Sequence, residues 1–382
     1  ALFAKDFLAK VPPATVTAIF TEMYGKYGAV VGRQHTESKA GKSKFELTFA
    51  KGYGVPLTLV LDAAAPHLIT GIWFGNPVRL AATLDEVVTE LKHLPGRVSF
   101  LAAHLGPRGV RPLATLEPDR SLALGSGFKL YILGALLQEI EAGTRAWSQI
   151  VTLDARSFSL PSGFLQEWPA GSPLTLHTVA SLMISRSDNT ATDLLLNTLG
   201  RERVERQMKP MGVTAPARNL PFLTTGEMFK LKGDPTGKLT KAYLARDLAG
   251  RRAFLSSTVA AMKLDDVVPH AKPLAVDTLE WFASAADMVR ALAWLRDHTG
   301  DDRTSLGRKL LAVNPGIALP KQRWRYVGYK GGSEPGVLSM SFLLQATDGQ
   351  WYALSAIWNN AGASVDTEKL VGLLGRAAQL MK

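Results

Sequence analysis

Ser126-Gly127-Phe128-Lys129 stands at the head of an apolar stretch, Leu130 to Leu137. If that stretch is helical, residues three apart share a face, and an amine lies beside a hydroxyl. A neutral lysine there can take the hydroxyl proton and leave the serine a nucleophile. Alone the pattern constrains little, because ordinary residue frequencies give roughly one Ser-x-x-Lys in a chain of this length. The constraint comes from two further segments downstream. Ser187-Asp188-Asn189 lies 61 positions on (187 − 126), and Lys330-Gly331-Gly332 lies 204 positions on (330 − 126). Taken singly, these two are a turn or helix cap and a strand exit. That all three are incidental, together and in this order, is improbable.

The chain has 382 residues, enough for two domains, and its 46% hydrophobic content suffices for a buried core. No stretch is long enough to cross a bilayer, since the apolar run after Lys129 breaks at Gln138. There is no cysteine, which removes disulfides, thiolate catalysis and zinc-thiolate sites. The seven histidines show no ligand spacing, and no glycine loop suggests a nucleotide, so no metal and no cofactor is expected. The net charge of +11 (44 − 33) suits anionic partners, but the densest basic stretch (Lys321, Arg323, Arg325 and Lys330) has no nucleic-acid motif around it. The expected partner is a small molecule and not a nucleic acid, with the protein a monomer or homodimer. The chain opens on Ala1 rather than Met, which fits a cleaved leader. Export to the periplasm or medium is the expectation, with a cytoplasmic location the alternative.

Two regions differ in pattern. Residues 1–80 read as a small α+β domain. Pro12-Pro13 opens a helix through Tyr24, and strands follow at 45–49, 57–61 and 67–74. Trp73 and Phe74 are expected in its core or at a domain interface. From residue 84 onward the elements are a helix to Leu94, two strands (98–104 and 110–116) and the Ser126 helix. Helices follow at 174–184, 191–199 and 202–211, with a basic insertion from 230 to 275 and an apolar helical pattern from Trp281 to Leu295, in which Ser284 reads as a cap and Asp287 as its partner. Three strands (326–329, 337–346 and 351–359) and a final helix end the chain. Terminal strands joining in one sheet beside a helical part would leave a cleft between them.

Residues 119–129, 185–196 and 319–332 resemble the three motif segments of class A β-lactamases and penicillin-binding proteins. The resemblance covers residues 84–382. It implies an α+β fold, an antiparallel sheet plus a helical subdomain, and a serine hydrolase. The extra N-terminal unit is similar to the cystatin- or isomerase-like first domain of the two-domain β-lactamase-like proteins associated with clavam biosynthesis. By this resemblance Ser126 is the nucleophile, Lys129 its base, Lys330 the second cation that keeps Lys129 neutral, and Ser187 the proton donor to the leaving group. Asn189 holds Lys129 and a substrate amide. The N–H groups of Ser126 and Ser333, beside Gly332, form an oxyanion hole.

Two departures stand out against that pattern. Where class A enzymes carry the deacylating glutamate, counting along the chain reaches Phe222; Glu227 reads as half of a capping box with Thr224, and Glu167 is a poor stand-in. After Lys330 the family has threonine or serine, whose hydroxyl binds the substrate carboxylate, and here stands Gly331. Ser333, Arg323 or Arg325 are the candidate replacements, and weak carboxylate recognition would favour esters or unusual lactams. The expected function is a Ser126 acyl-enzyme hydrolase acting on a β-lactam, amide or ester. The alternatives are a D-amino-acid peptidase that binds penicillin, and a sensor or accessory protein acylated without turnover.

Overall fold

The computed structural model describes residues 2–39, 41–80 and 82–381, and the chain divides into two compact units, Ala1–Glu86 and Val87–Lys382. In the first, helix α1 (Pro13–Tyr27) carries proline at its first position, where the missing N–H would have had no partner. It stops at Gly28, whose φ of 84° disfavours a residue with a Cβ. An antiparallel sheet comes next, in the order β1 (Val30–Lys39), β2 (Lys42–Phe49), β3 (Tyr53–Leu61), β4 (Ile69–Phe74). The sequence pattern does not mark β1, because its residues are polar and mostly exposed. It is an edge strand held by backbone pairing with β2, which leaves no hydrophobic alternation to read. Trp73 is not core: it is 58% exposed. Phe74 is half-buried and meets the edge of Phe20, with ring centroids 5.6 Å apart.

The second unit joins the two ends of its own chain in one antiparallel sheet. Strands β5 (Arg97–Gly106) and β6 (Gly109–Leu116) form a hairpin, and β7 (Trp324–Glu334), β8 (Val337–Ala346) and β9 (Trp351–Asn359) complete the order β7-β8-β9-β5-β6. The helical middle of the chain is therefore looped out beside the sheet. Its centre is α2 (Lys129–Glu141), in which every residue from Lys129 to Leu137 is buried. A helix apolar on all sides needs neighbours on all sides. Among these are α3 (Leu176–Ser185) and α4 (Asn189–Leu199), with α5 (Thr225–Lys232) packed against α4. Helix α6 (Ala285–Asp297) runs along β5, β8 and β9. The apolar pattern from Trp281 starts four residues ahead of the helix, since Ser284 and Asp287 form the expected capping box and Phe282–Ala283 pairs instead with Leu122–Ala123. Helix α7 (Ser305–Ala312) lies against α3 and β7, and α8 (Thr367–Leu380) against β9. No helix among the described residues is long and apolar enough to cross a membrane.

The second unit also buries an ion cluster. Lys232 Nζ donates to Glu280 Oε1 and to Glu334 Oε1, each at 2.6 Å, with Lys232 and Glu280 side chains both 1% exposed. One cation faces two carboxylates. Burial, then the Glu280 charge beside it, pushes Glu334 up to about 9, so Glu334 keeps its proton at neutral pH. A carboxyl whose folded pKa exceeds its unfolded value stabilises the fold below the unfolded pKa and loses that contribution as pH rises towards 9. Glu334→Gln copies the protonated form. We predict that its melting temperature equals the wild type near pH 5 and increasingly exceeds it from pH 7 to 9, by thermal denaturation across that range. Lys232→Met strands two buried carboxylates and should cost about 3–5 kcal/mol.

Candidate active site

Helix α2 is preceded by a single tight turn, Gly125–Phe128, which presents Ser126 at a helix N-terminus. Four hydrogen bonds hold the two residues that lead into that turn. The Asn359 side chain accepts from Ala123 N (2.7 Å) and donates to Ala123 O (3.0 Å). Leu124 N donates to Trp281 O (2.8 Å), and Ser339 Oγ donates to Leu124 O (2.6 Å). Behind it, Phe128 stacks on Trp281 at 3.7 Å and meets Phe222 edge-on at 5.7 Å. The backbone of β7 then presses against the turn. A Cβ on Gly332 would lie 2.6 Å from Gly127 N and collide with Leu124 O and Ser126 N, and one on Gly125 would lie 2.9 Å from Ser333 N. Two N–H-bearing residues, Ser126 and Ser333, thus face each other with only glycine between.

Lys129 is fully buried one turn below Ser126. Its Nζ donates to Ser187 O (2.6 Å), Asn189 Oδ1 (2.7 Å) and Ser187 Oγ (3.2 Å). No hydrogen bond joins it to Ser126 Oγ among the described residues. Burial first, and the Lys330 charge second, hold Lys129 well below the usual lysine range, against an opposing pull from Asp193 and Asp188. The carbonyl of Ser187 and Oδ1 of Asn189 can only accept, and Asn189 is fixed in that orientation because Nδ2 donates to Leu160 O (2.9 Å). A neutral amine has two N–H groups for those two acceptors, which frees its lone pair. Lys330, on β7, donates to Ser187 Oγ (3.0 Å) and to Gly331 O, and burial alone brings it down to about 7. Ser187 Oγ therefore bridges two buried amines.

Ser187 lies in the left-handed region, with φ of 54°, which a serine adopts only under constraint. The constraint is Asp188. Its Oδ1 accepts from Ala191 N (2.8 Å) and caps α4, and its Oδ2 accepts from Phe164 N (2.8 Å) and Leu165 N (2.9 Å). Asp193 is likewise consumed, accepting from Thr225 N (2.7 Å) and Gly226 N (2.8 Å), while burial pushes it up to about 7. Sequence reasoning missed both aspartates as organisers of the site, although an Asp just ahead of a helical run is an N-cap signal.

All seven expected residues, Ser126, Lys129, Ser187, Asn189, Lys330, Gly332 and Ser333, lie in this cleft between β7 and the helices. Ser126 and Ser187 are half-buried, Ser333 is exposed, and the other four are buried. Arg323 and Arg325 do not join them. They sit at the far end of β7, and the five or more residues to Lys330 span roughly 17 Å or more of strand. Glu227 caps α5 in a capping box with Thr224 and pairs with Arg201 at 2.7 Å, and Glu167 is exposed. The Glu227 carboxylate is therefore already engaged.

Residues 79–379 match the sequence model of the β-lactamase enzyme family. The chain belongs to that family. Solved members and relatives share the fold. A β-lactamase from Sphaerobacter thermophilus DSM 20745 superposes with a TM-score of 0.54 at 20% identity, covering 78% of this chain and 95% of that one. A β-lactamase from Francisella tularensis gives 0.56 at 13% identity over 78% and 97%. A variant of PBP-A, captured as an acyl-enzyme complex with penicillin G, gives 0.53 at 14% over 78% and 96%. Identity this low speaks to the fold alone. No curated protein sequence matches significantly. The match begins at residue 79, so the first unit lies almost wholly outside the family's segment.

The close packing of β7 on the nucleophile turn gives a sharp prediction. Gly332→Ala places a methyl against three backbone atoms that cannot rotate away. The strand must shift, separating Ser126 from Ser333, and acylation should fall at least about 100-fold, the cost of losing one oxyanion donor. Near-native melting with wild-type acylation would show that the approach is not needed.

Proposed function

We propose that this chain is a serine acyl-transfer enzyme of β-lactamase type that forms an acyl-enzyme at Ser126 with a lactam, ester or amide. The observation that carries the reading is Ser187 Oγ, held between two buried lysines of lowered pKa beside an accessible serine at a helix start. Ser126 Oγ attacks the substrate carbonyl and passes its proton to the Lys129 lone pair. The carbonyl oxygen becomes an anion and is met by the N–H groups of Ser126 and Ser333, aided by the helix dipole. Collapse breaks the bond to the leaving group. Its nitrogen or oxygen takes the Ser187 hydroxyl proton, which Lys129 returns to Ser187, so no net proton is created or lost.

The same geometry supports slow deacylation. Hydrolysis of the ester needs a base for water, commonly worth about 10²–10⁴ in rate. Asp188, Asp193 and Glu227 are already tied to backbone N–H groups or arginine, and Phe222 is buried and apolar. The adduct is expected to outlast its formation. Intact mass followed over time with a penicillin, a cephalosporin and an activated ester tests this. Wild-type protein should gain a persistent acyl mass that Ser126→Ala does not. Neither adduct nor consumption in the wild type, or equal labelling of Ser126→Ala, would sink the proposal.

The lysines set a pH signature. Lys129 serves as base above its own depressed pKa, while Lys330 is a cation only below about 7. As Lys330 loses its proton, burial still keeps Lys129 neutral, but the cleft loses the cation that steadies the anion formed on the substrate. The second-order acylation constant should therefore fall as pH rises through about 7. Lys330→Arg keeps its charge at all pH values and should move that limb upward. A wild-type profile flat to pH 9 would contradict the role given to Lys330.

A further inference from the structure

The position after Lys330 has no side chain, yet it is not empty. Tyr329, Gly331 and Ser333 share one face of β7, opposite Lys330 and Gly332. The Tyr329 ring lies along the strand over Gly331. A Cβ on Gly331 would stand 2.7 Å from Tyr329 Cζ and closer still to Oη. Any residue other than glycine at 331 must evict the phenol.

The ring cannot easily leave. Its cross-strand partner Phe342 packs on it with centroids 4.8 Å apart. Gly316, with φ of +72°, lays bare backbone against it, and a Cβ there would lie 2.6 Å from Cδ1, Cε1 and Cζ. The Gly316 loop is anchored in turn, because Asn314 Nδ2 donates to Ser185 O (3.0 Å) and Asn314 Oδ1 accepts from Gly316 N (3.1 Å). The loop that clamps Tyr329 is thus tied to the end of α3, two residues before Ser187.

The phenol oxygen has no hydrogen-bonding partner among the described residues, and it is not among the oxygens sealed from solvent. Buried tyrosine hydroxyls ordinarily find a partner. Here a rigidly held donor is left open over Gly331, the residue whose carbonyl accepts from Lys330 Nζ. Burial pushes the phenol up to about 12, so it keeps its proton throughout the working range. A donor that keeps its proton, on the strand that carries Lys330, fits a carboxylate better than a neutral carbonyl.

We infer that the Tyr329 hydroxyl binds a carboxylate of the substrate, in the place that a side-chain hydroxyl at residue 331 would otherwise fill. This rests on the acyl-enzyme reading of Ser126 and deepens it. It also reverses the expectation of weak carboxylate recognition drawn from Gly331 alone. Glycine at 331 is the condition for the phenol to reach the site.

Benzylpenicillin and its methyl ester share one acyl group and differ only in the carboxylate, so they separate binding from chemistry. The second-order rate of Ser126 acylation is measured with each, by intact mass. For Tyr329→Phe, which keeps the ring and its packing, the free acid should lose roughly 10- to 100-fold, the usual effect of deleting a hydrogen bond to a charged group, and the ester nothing. Gly331→Thr alone should impair both substrates through collision with the ring. Combining Tyr329→Ala with Gly331→Thr should restore the preference for the free acid. Equal behaviour of acid and ester in Tyr329→Phe, whether both unchanged or both slowed, overturns the assignment. If wild-type Ser126 takes neither compound, the acyl-enzyme reading fails and the Tyr329 assignment with it; if the wild type is acylated and Tyr329→Phe shows no selective loss, the Tyr329 assignment alone fails.

Discussion

The hydroxyl of Ser187 is the point on which the cleft depends. It touches Lys129 from the core of the helical part and Lys330 from the edge of the sheet. Nothing else among the described residues of the cleft hydrogen-bonds to both amines. To stand there Ser187 adopts a left-handed backbone, and such strain, typically about 1–3 kcal/mol, persists only where neighbours over-determine it. Asp188 supplies the neighbours, tying the start of α4 and the 164–165 segment to the same bend. A Cβ on Gly163 would be driven into the Asp188 side chain, so that segment is glycine where it passes. The cost of two buried amines is met the same way. Each has directed acceptors, and the Lys330 charge adds to burial in keeping Lys129 without a proton.

How much of this could be read from the sequence depends on the kind of interaction each part uses. Ser126 and Lys129 were legible because helix spacing is local. Ser187 and Lys330 were legible only as members of an ordered set, since nothing in either segment alone requires chemistry. The capping boxes at Thr224–Glu227 and Ser284–Asp287 were legible because a cap is a four-residue event. The strand through Lys330 was underread. Lys-Gly-Gly looks like a strand exit, yet β7 runs on to Glu334, because Gly332 is required by the turn behind it and Gly331 by the Tyr329 ring, and neither by a turn of its own. Glycines that admit a distant backbone are indistinguishable in sequence from glycines that bend their own. Strand β1 went unmarked for the opposite reason: an exposed edge needs backbone pairing and no hydrophobic pattern.

Tyr329 was invisible for a third reason. A tyrosine one residue before a lysine in a strand reads as ordinary packing, and its ring does pack. Only the direction of that ring over Gly331, fixed by Phe342 and by the Gly316 loop, turns an apparent loss of function at 331 into a relocation of it. Departures from a motif judged position by position would score Gly331 as a deletion. Judged by where atoms lie, a hydroxyl still stands where a side chain at 331 would be.

The missing deacylating carboxylate has no such relocation. The ground behind Ser126 is taken by three buried rings, Phe128 stacked on Trp281 and meeting Phe222 edge-on. A carboxylate introduced there would be desolvated and without a partner, so it would be protonated and could not serve as a base at neutral pH. The aromatic group and the absence of a base are therefore one feature. It holds the nucleophile turn rigid from behind, and for the same reason it keeps that side dry. On the acyl-enzyme reading proposed for Ser126, the cleft has the groups to form an ester, and the base left for the water that would remove it is the Lys129 amine.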